Sequence, residues 1–287
     1  MKIRSHADEK NMFVMPPCAD DADATRHELK RRDIAWWEWG DPAKPSVLLL
    51  HGITSSHRSW SPVARLRAER GLHVIAWDMP LHGESRHDGD FTLEGCVDDL
   101  VGILDSCEVE SCVVAAHSFG CYVAQQLVEA HPEMVDGAAL FDGMPLSYPL
   151  TGLEHWSVYY YADFAWVYPL DAYVSQATKA ACATEAAREG FAADLRALGK
   201  GGLLQASKLC YRDVINRDKL TFPEGMSLSF ALGDGDTTGL VAEAMHEWSA
   251  AYGCGLEIVP DAAHNAPSDN PPFCTEAIAD LVERCHA

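Results

Sequence analysis

Short apolar runs alternate with amphipathic helical stretches along most of this chain, and that alternation limits the fold more than any other feature. Ser46–Leu50 is a compact apolar run suited to a strand buried on both faces. A helix over about Pro62–Arg70 follows and stops at Gly71. His73–Trp77 reads as the next strand, after which Val97, Leu100, Val101 and Leu104 recur at helical spacing. Ser111–Ala116 is a strand again, and Phe119, Tyr122, Val123, Leu127 and Ala130 mark one face of a helix ending near His131-Pro132. Gly137–Phe141 completes this first series. The rhythm returns with strand Ser227–Leu232, helix Leu240–Ala251, strand Leu256–Val259 and helix Phe273–Cys285. Repeated strand–helix units dictate a mostly parallel α/β sheet with helices on both faces. Two further short strands are expected ahead of the series, around Glu28–Arg31 and Ile34–Trp39, ending at Gly40-Asp41-Pro42.

Between the two series, residues 146–222 hold no clear buried strand and read as helical, with an Ala-rich stretch around Ala177–Leu198. Their place in the order makes them an insertion over the carboxyl edge of the sheet, where open α/β sheets bind ligands. Residues 1–25 carry Asp20, Asp21 and Asp23 among alanines with no apolar periodicity, and read as a flexible lead-in. The expected organisation is that lead-in, a core domain from 26–145 and 223–287, and the insertion at 146–222.

At 287 residues the chain is long enough to bury a sizeable core. Its 22 basic and 43 acidic residues leave a net charge of −21, which repels phosphate backbones and anionic membranes, so nucleic-acid and membrane partners are not expected. No apolar run approaches the ~18 residues of a membrane helix. The first 25 residues lack the apolar stretch of a secretory signal. Ten cysteines contain no Cys-x-x-Cys pair, which removes support for a zinc ribbon or a redox motif. The expectation is a cytoplasmic protein with reduced thiols, monomeric or dimeric. Cys274, Ile278, Leu281, Val282 and Cys285 share one helical face, so these thiols are expected to act as small core residues.

The most informative stretch for chemistry is Ala116-His117-Ser118-Phe119-Gly120, which joins an apolar strand to an amphipathic helix. A serine in such a turn projects above the sheet edge, beside the positive end of the helix. The turn is crowded, so small residues are needed two before and two after the serine, and Ala116 and Gly120 supply them. Seryl oxygen is a weak nucleophile until a base takes its proton.

With that motif the chain resembles the α/β-hydrolase fold family, of the serine esterase, lipase and C–C hydrolase type with a helical cap. The similarity covers about residues 33–145 and 224–286. The family elbow is Gly-x-Ser-x-Gly, and Ala116 stands at its first position. His51-Gly52-Ile53 follows the first buried strand, where the family supplies one oxyanion-hole amide. The resemblance therefore implies backbone donors at Ile53 and Phe119, with His51 shaping the loop. Asp78-Met79-Pro80-Leu81-His82-Gly83-Glu84-Ser85 resembles the family's Asp-x-Pro-Gly-x-Gly-x-Ser turn, with Leu81 in place of a glycine, and no chemistry is expected there.

Strand Ser227–Leu232 leads into Gly233-Asp234-Gly235-Asp236-Thr237, where the family often reads Gly-Asp/Glu-x-Asp with the last Asp catalytic. That implies Asp236 as the acid. Asp234 and Asp142, the latter after strand Gly137–Phe141, remain alternatives. The base implied is His264, which follows the last strand and precedes the last helix, with Pro271 beyond it. The order Ser, Asp, His is the one this fold uses.

Residues 146–178 contain nine aromatic residues, among them Trp156, Tyr160 and Phe164, and no Lys or Arg. These residues, with Met144, are candidates for an apolar substrate pocket under a cap. The resemblance implies a serine hydrolase cleaving a small-to-medium, neutral, fairly apolar carboxylic ester, with no cofactor and no metal. Serine at the elbow disfavours epoxide opening and dehalogenation, for which the relatives use Asp. C–C bond hydrolysis, thioester hydrolysis and lyase chemistry on the same triad remain alternatives, as does a non-catalytic hydrolase-like receptor.

Overall fold

The structure is a computed structural model, and it describes residues 21–287 apart from 31, 86–90, 147, 155, 157–159, 161–166, 215–216 and 219. Eight strands form one sheet: β1 (Thr25–Leu29), β2 (Ile34–Trp39), β3 (Ser46–Leu50), β4 (His73–Trp77), β5 (Cys112–His117), β6 (Val135–Phe141), β7 (Ser227–Gly233) and β8 (Leu256–Val259). Their order is β1-β2-β4-β3-β5-β6-β7-β8. β1 pairs antiparallel with β2, and β2 antiparallel with β4; the other pairings are parallel.

The labelled helices are α1 (Ser61–Glu69), α2 (Leu93–Ser106), α3 (Gly120–Ala130), α4 (Leu170–Ala181), α5 (Glu185–Val214), α6 (Val241–Ala251), α7 (Ala266–Asp269) and α8 (Pro271–His286). Side chains on a strand alternate between faces, and the two cores follow that rule. Leu48, Leu50, Ile75, Val114, Ala116 and Leu140 pack with α2, α3 and α6. Val47, Leu49, Val74, Ala76, Val113 and Phe141 pack with α1 and α8. Burial on both faces explains why these strands read as unbroken apolar runs. The chain leaves β3 towards β4 on one side and returns to β5 on the other. That reversal opens a crevice beyond the carboxyl ends of β3 and β5.

Four strands, β2, β3, β4 and β8, lie where the sequence places them. β1 begins at Thr25, inside the segment expected to be flexible, and Asp21 lies 3.4 Å from the His57 ring. Residues 21–25 are therefore part of the packed fold; the rest of the lead-in falls outside the described residues. The Ala-rich stretch is divided at Cys182–Thr184 into α4 and α5, and α5 is broken again at Gly199 (φ 60°, ψ 178°). No helix among the described residues is long and apolar enough to cross a membrane. Nine cysteines are described and all are free; Cys274 is buried on α8, as its helical position predicts.

Candidate active site

Ser118 occupies the turn between β5 and α3 with φ 51°, a left-handed value that non-glycine residues seldom adopt. Its N–H donates to the Phe141 carbonyl at 2.9 Å, and its own carbonyl accepts from Cys121 N–H at 2.9 Å. These bonds hold the strained residue in place. Gly120 is required by close approach: a Cβ there would lie 2.5 Å from the Leu50 carbonyl oxygen. Gly52 is pressed in the same way, with a Cβ placed 2.9 Å from His117 Nδ1 and 3.1 Å from Ser118 Cβ. The crevice between β3 and β5 is thus closed down until the two loops touch.

His264 Nε2 lies 2.9 Å from Ser118 Oγ, and His264 Nδ1 lies 2.9 Å from Asp236 Oδ2. With Nδ1–H donating to the carboxylate, Nε2 is free to accept the seryl proton. Burial works against the ionised Asp236, but the hydrogen bond and charge of His264 and the Thr238 N–H outweigh it and hold the carboxyl below its ordinary range. Asp236 is therefore an anion facing the imidazole.

The two alternative acids make other contacts. Asp234 accepts from Asp261 N–H and Ala262 N–H, both at 3.2 Å, and so shapes the loop before His264. Asp142 is fully buried at φ 47°, and its Oδ1 accepts from Gly233 N–H at 2.7 Å. Burial, then the nearby charge of Asp236, pushes its carboxyl well above the usual range. Neither contacts the His264 ring among the described residues.

Ile53 and Phe119 present N–H groups at the ends of β3 and β5, and neither finds an acceptor among the described residues. His51 is structural: Nδ1–H donates to the Gly52 carbonyl at 2.7 Å and Nε2 accepts from Met79 N–H at 2.9 Å. Burial first, and then neighbouring His82, lowers its pKa to about 3, so it stays neutral.

The Asp78–Ser85 turn is a structural hub. Asp78 Oδ1 accepts from His57 N–H at 2.7 Å and from the His57 ring at 2.9 Å, while Oδ2 accepts from Glu84 N–H at 2.7 Å. Burial opposes a charge on His57, but Asp78 and Asp21 raise its pKa to about 9. Leu81, where the family carries glycine, takes φ 72°.

Several functional neighbours carry no motif. His117 Nε2–H donates to the His264 carbonyl at 2.6 Å, which fixes the base's backbone. Asp269 accepts from Ala183 N–H, Thr184 N–H and Ala263 N–H, joining the start of α5 to the His264 loop. Tyr211, from α5, stands edge-on to Phe119 with centroids 6.0 Å apart. The expected pocket residues fare differently. Met144 is half-buried against the α2–α3 core. Trp156 and Tyr160 lean on one another at 5.3 Å and are 49% and 40% exposed. Phe164 lies outside the described residues. Among the described residues no group of three His, Cys, Asp or Glu side chains is arranged to hold a metal ion.

A strand-turn-helix serine, a strand-end histidine and a strand-end aspartate on one mostly parallel sheet define an α/β hydrolase scaffold. The chain belongs to the Alpha/beta hydrolase family, whose sequence profile matches residues 47–277. Mouse sn-1-specific diacylglycerol lipase ABHD11 is 31% identical over 108 residues, covering 37% of this chain and 35% of that protein. Epoxide hydrolase B of Mycobacterium tuberculosis strain H37Rv is 34% identical over 100 residues, covering 34% of this chain and 28% of that protein. The chain thus matches about a third of the length of these curated relatives. A thermophilic esterase from Thermogutta terrifontis superposes with a TM-score of 0.73 at 19% identity, covering 93% of this chain and all of the other, which establishes the fold.

Proposed function

We propose that this chain is a serine hydrolase that cleaves a small-to-medium, neutral, fairly apolar carboxylic ester through an acyl-enzyme on Ser118. The observation that carries the reading is the relay Ser118–His264–Asp236, with both links at 2.9 Å. His264 takes the seryl proton as Oγ attacks the ester carbonyl. The Ile53 and Phe119 amides hold the resulting oxyanion; one such donor is worth about 10²–10³ in rate. His264 then protonates the departing alcohol, activates water and releases the acid. Asp236 keeps Nδ1 protonated and stabilises the imidazolium.

The relatives named above include a lipase and an epoxide hydrolase. Serine at position 118 supports acyl transfer over epoxide opening. The absence of Lys and Arg from 146–178, together with its aromatic content, supports a neutral apolar substrate. The described helices of the insertion, α4 and α5, act as the cap over this site, a reading supported by the contacts of α5 with the elbow and with the His264 loop.

The test is intact-mass spectrometry after treatment with a fluorophosphonate, beside Ser118→Ala, followed by a panel of p-nitrophenyl esters. One adduct on the native chain, absent from Ser118→Ala, and turnover that favours short to medium acyl chains are expected. An unlabelled native protein that also leaves the esters intact would sink the reading.

A further inference from the structure

The loop that presents the Ile53 amide is strained, and its hold comes from far away in the chain. Ser55 N–H donates to the Gly52 carbonyl at 3.3 Å, so Ile53 and Thr54 sit at the centre of a four-residue turn. Thr54 takes φ 60°, a value that β-branched residues avoid and keep only when surrounding contacts impose it. Its hydroxyl donates to the adjoining Ile53 carbonyl at 2.7 Å, a bond internal to the turn. The external bonds come next: Ser55 Oγ donates to Asp194 Oδ2 at 3.3 Å and Ser56 Oγ to Asp194 Oδ1 at 2.8 Å. Asp194 lies on α5, 139 and 138 residues further along the chain. It is buried, 4% exposed, and the acyl-enzyme route gives it no step. A buried carboxyl is costly unless it is hydrogen-bonded, and among the described residues its two bonds run to Ser55, at the end of this turn, and to Ser56, just after it.

We infer that Asp194 is a positioning residue for the oxyanion hole: it pins Ser55 and Ser56, keeps Thr54 in its left-handed conformation, and so holds the Ile53 amide towards Ser118. The inference rests on the acyl-enzyme reading above. The same helix is fastened on the other side of the site. Asp269 receives the N–H groups of Ala183 and Thr184 at the start of α5 and of Ala263 beside the base, at 2.9, 2.8 and 3.0 Å. One helix therefore bridges the oxyanion loop and the His264 loop. Seating α5 sets the donor and the base together, which ties the segment between β6 and β7 to the competence of the site itself. Burial pushes the Asp194 carboxyl up to about 7; the Ser56 hydrogen bond and the charges of His57 and Arg58 favour its anion, and Asp78 opposes it.

The experiment compares native protein, Asp194→Ala and Asp194→Asn for kcat and KM on a p-nitrophenyl ester, fluorophosphonate labelling rate and melting temperature. Asp194→Ala is expected to lower kcat and the labelling rate by about ten- to hundredfold while KM stays within about threefold, because the lost term is oxyanion stabilisation. Asn keeps an oxygen for Ser56 and offers an N–H to Ser55, so Asp194→Asn is expected to recover activity to within about threefold of native. Thr54→Gly, which removes the need to force φ, is expected to recover part of the Asp194→Ala loss. Should Asp194→Ala fail to fold, Ser55→Ala with Ser56→Ala removes the same two bonds and must reproduce the fall in kcat. Native kcat in either, or a loss that Asn does not recover in a folded protein, overturns the inference. A native chain that takes no fluorophosphonate overturns the acyl-enzyme reading instead, so the two failures are told apart.

Discussion

The loops at the carboxyl ends of β3, β5, β7 and β8 and the helices between β6 and β7 meet at one edge of the sheet, yet they are built by different rules. Each loop follows a strand of the parallel run, and its conformation is set by close contacts with the ends of neighbouring strands. Gly120 abuts the Leu50 carbonyl, and Ser118 N–H is anchored on Phe141. The helices α4 and α5 have a small core of their own, Val174, Ala192, Leu195 and Leu203; α5 also sends Cys210 and Val214 into the α2–α3 core and meets the site through polar and aromatic contacts. The difference teaches where chemistry is fixed and where it is tuned. Ser118, Asp236 and His264 stand at strand ends, whereas the Ile53 loop and, through Asp269, the His264 loop also draw support from the segment that begins α5.

The largest effect that would break this division concerns the acid. Asp236→Asn should lower kcat by about 10⁴, as loss of the correct imidazole tautomer does elsewhere. Asp142→Asn should cost less than about tenfold, because a buried carboxyl held neutral is well replaced by an amide. Steady-state kinetics on both variants decide this; the reverse ranking would move the acid to the end of β6.

Next in size is the elbow. Gly120→Ala places a methyl 2.5 Å from backbone that has no room to yield. A loss of about 3 kcal/mol is expected, or roughly 5–10 °C in melting midpoint, with activity falling in step. Thermal denaturation checks it, and an unchanged midpoint would show that the sheet edge is softer than its contacts imply.

A smaller effect lies in the His57–Asp78 pair beneath the oxyanion loop. His57 is raised from 6.5 to about 9, so its contribution is fully present below pH 6.5 and is lost as pH climbs through about 9. Asp78 is lowered, so its contribution is present above its ordinary range and lost as pH falls through its folded value. Stability of native protein should therefore decline between pH 6.5 and 9 by at most on the order of 3 kcal/mol, and His57→Gln should flatten that slope. Urea unfolding across this range is the measurement. An equal slope in the variant would place the titrating group elsewhere.

The smallest effects should fall on the exposed aromatics. Trp156→Ala and Tyr160→Ala are expected to shift stability by less than about 0.5 kcal/mol, with any kinetic change confined to KM. A fall in kcat would bring these rings onto the reacting groups.

The same contrast governs what the sequence makes legible. Strands buried on both faces announce themselves as apolar runs, so β2, β3 and β4 have the expected bounds; β8 has them too, although its middle residues Glu257 and Ile258 are exposed. β1 is a polar edge strand, Thr-Arg-His-Glu-Leu, whose position is fixed by pairing to β2 rather than by its own pattern, and it lies nearer the amino terminus than expected. Ser118, Asp236 and His264 are legible because each sits at a strand end with local turn chemistry, and the structure brings all three within hydrogen-bonding reach. Asp194, Asp269 and Tyr211 are not, because their partners are remote in sequence and no period or motif encodes a hydrogen bond to Ser56 from 138 residues away. The aromatic content of 146–178 is visible in the sequence, but which rings face the site depends on packing that composition does not specify.

The central claim is that Ser118 becomes acylated. Acid quenching during turnover of a p-nitrophenyl ester, followed by peptide mass spectrometry, tests it most directly. The account predicts an acyl group on the peptide containing Ser118, formed with a burst of nitrophenol and absent from His264→Ala. Ester turnover with no acylated peptide and no burst would contradict it.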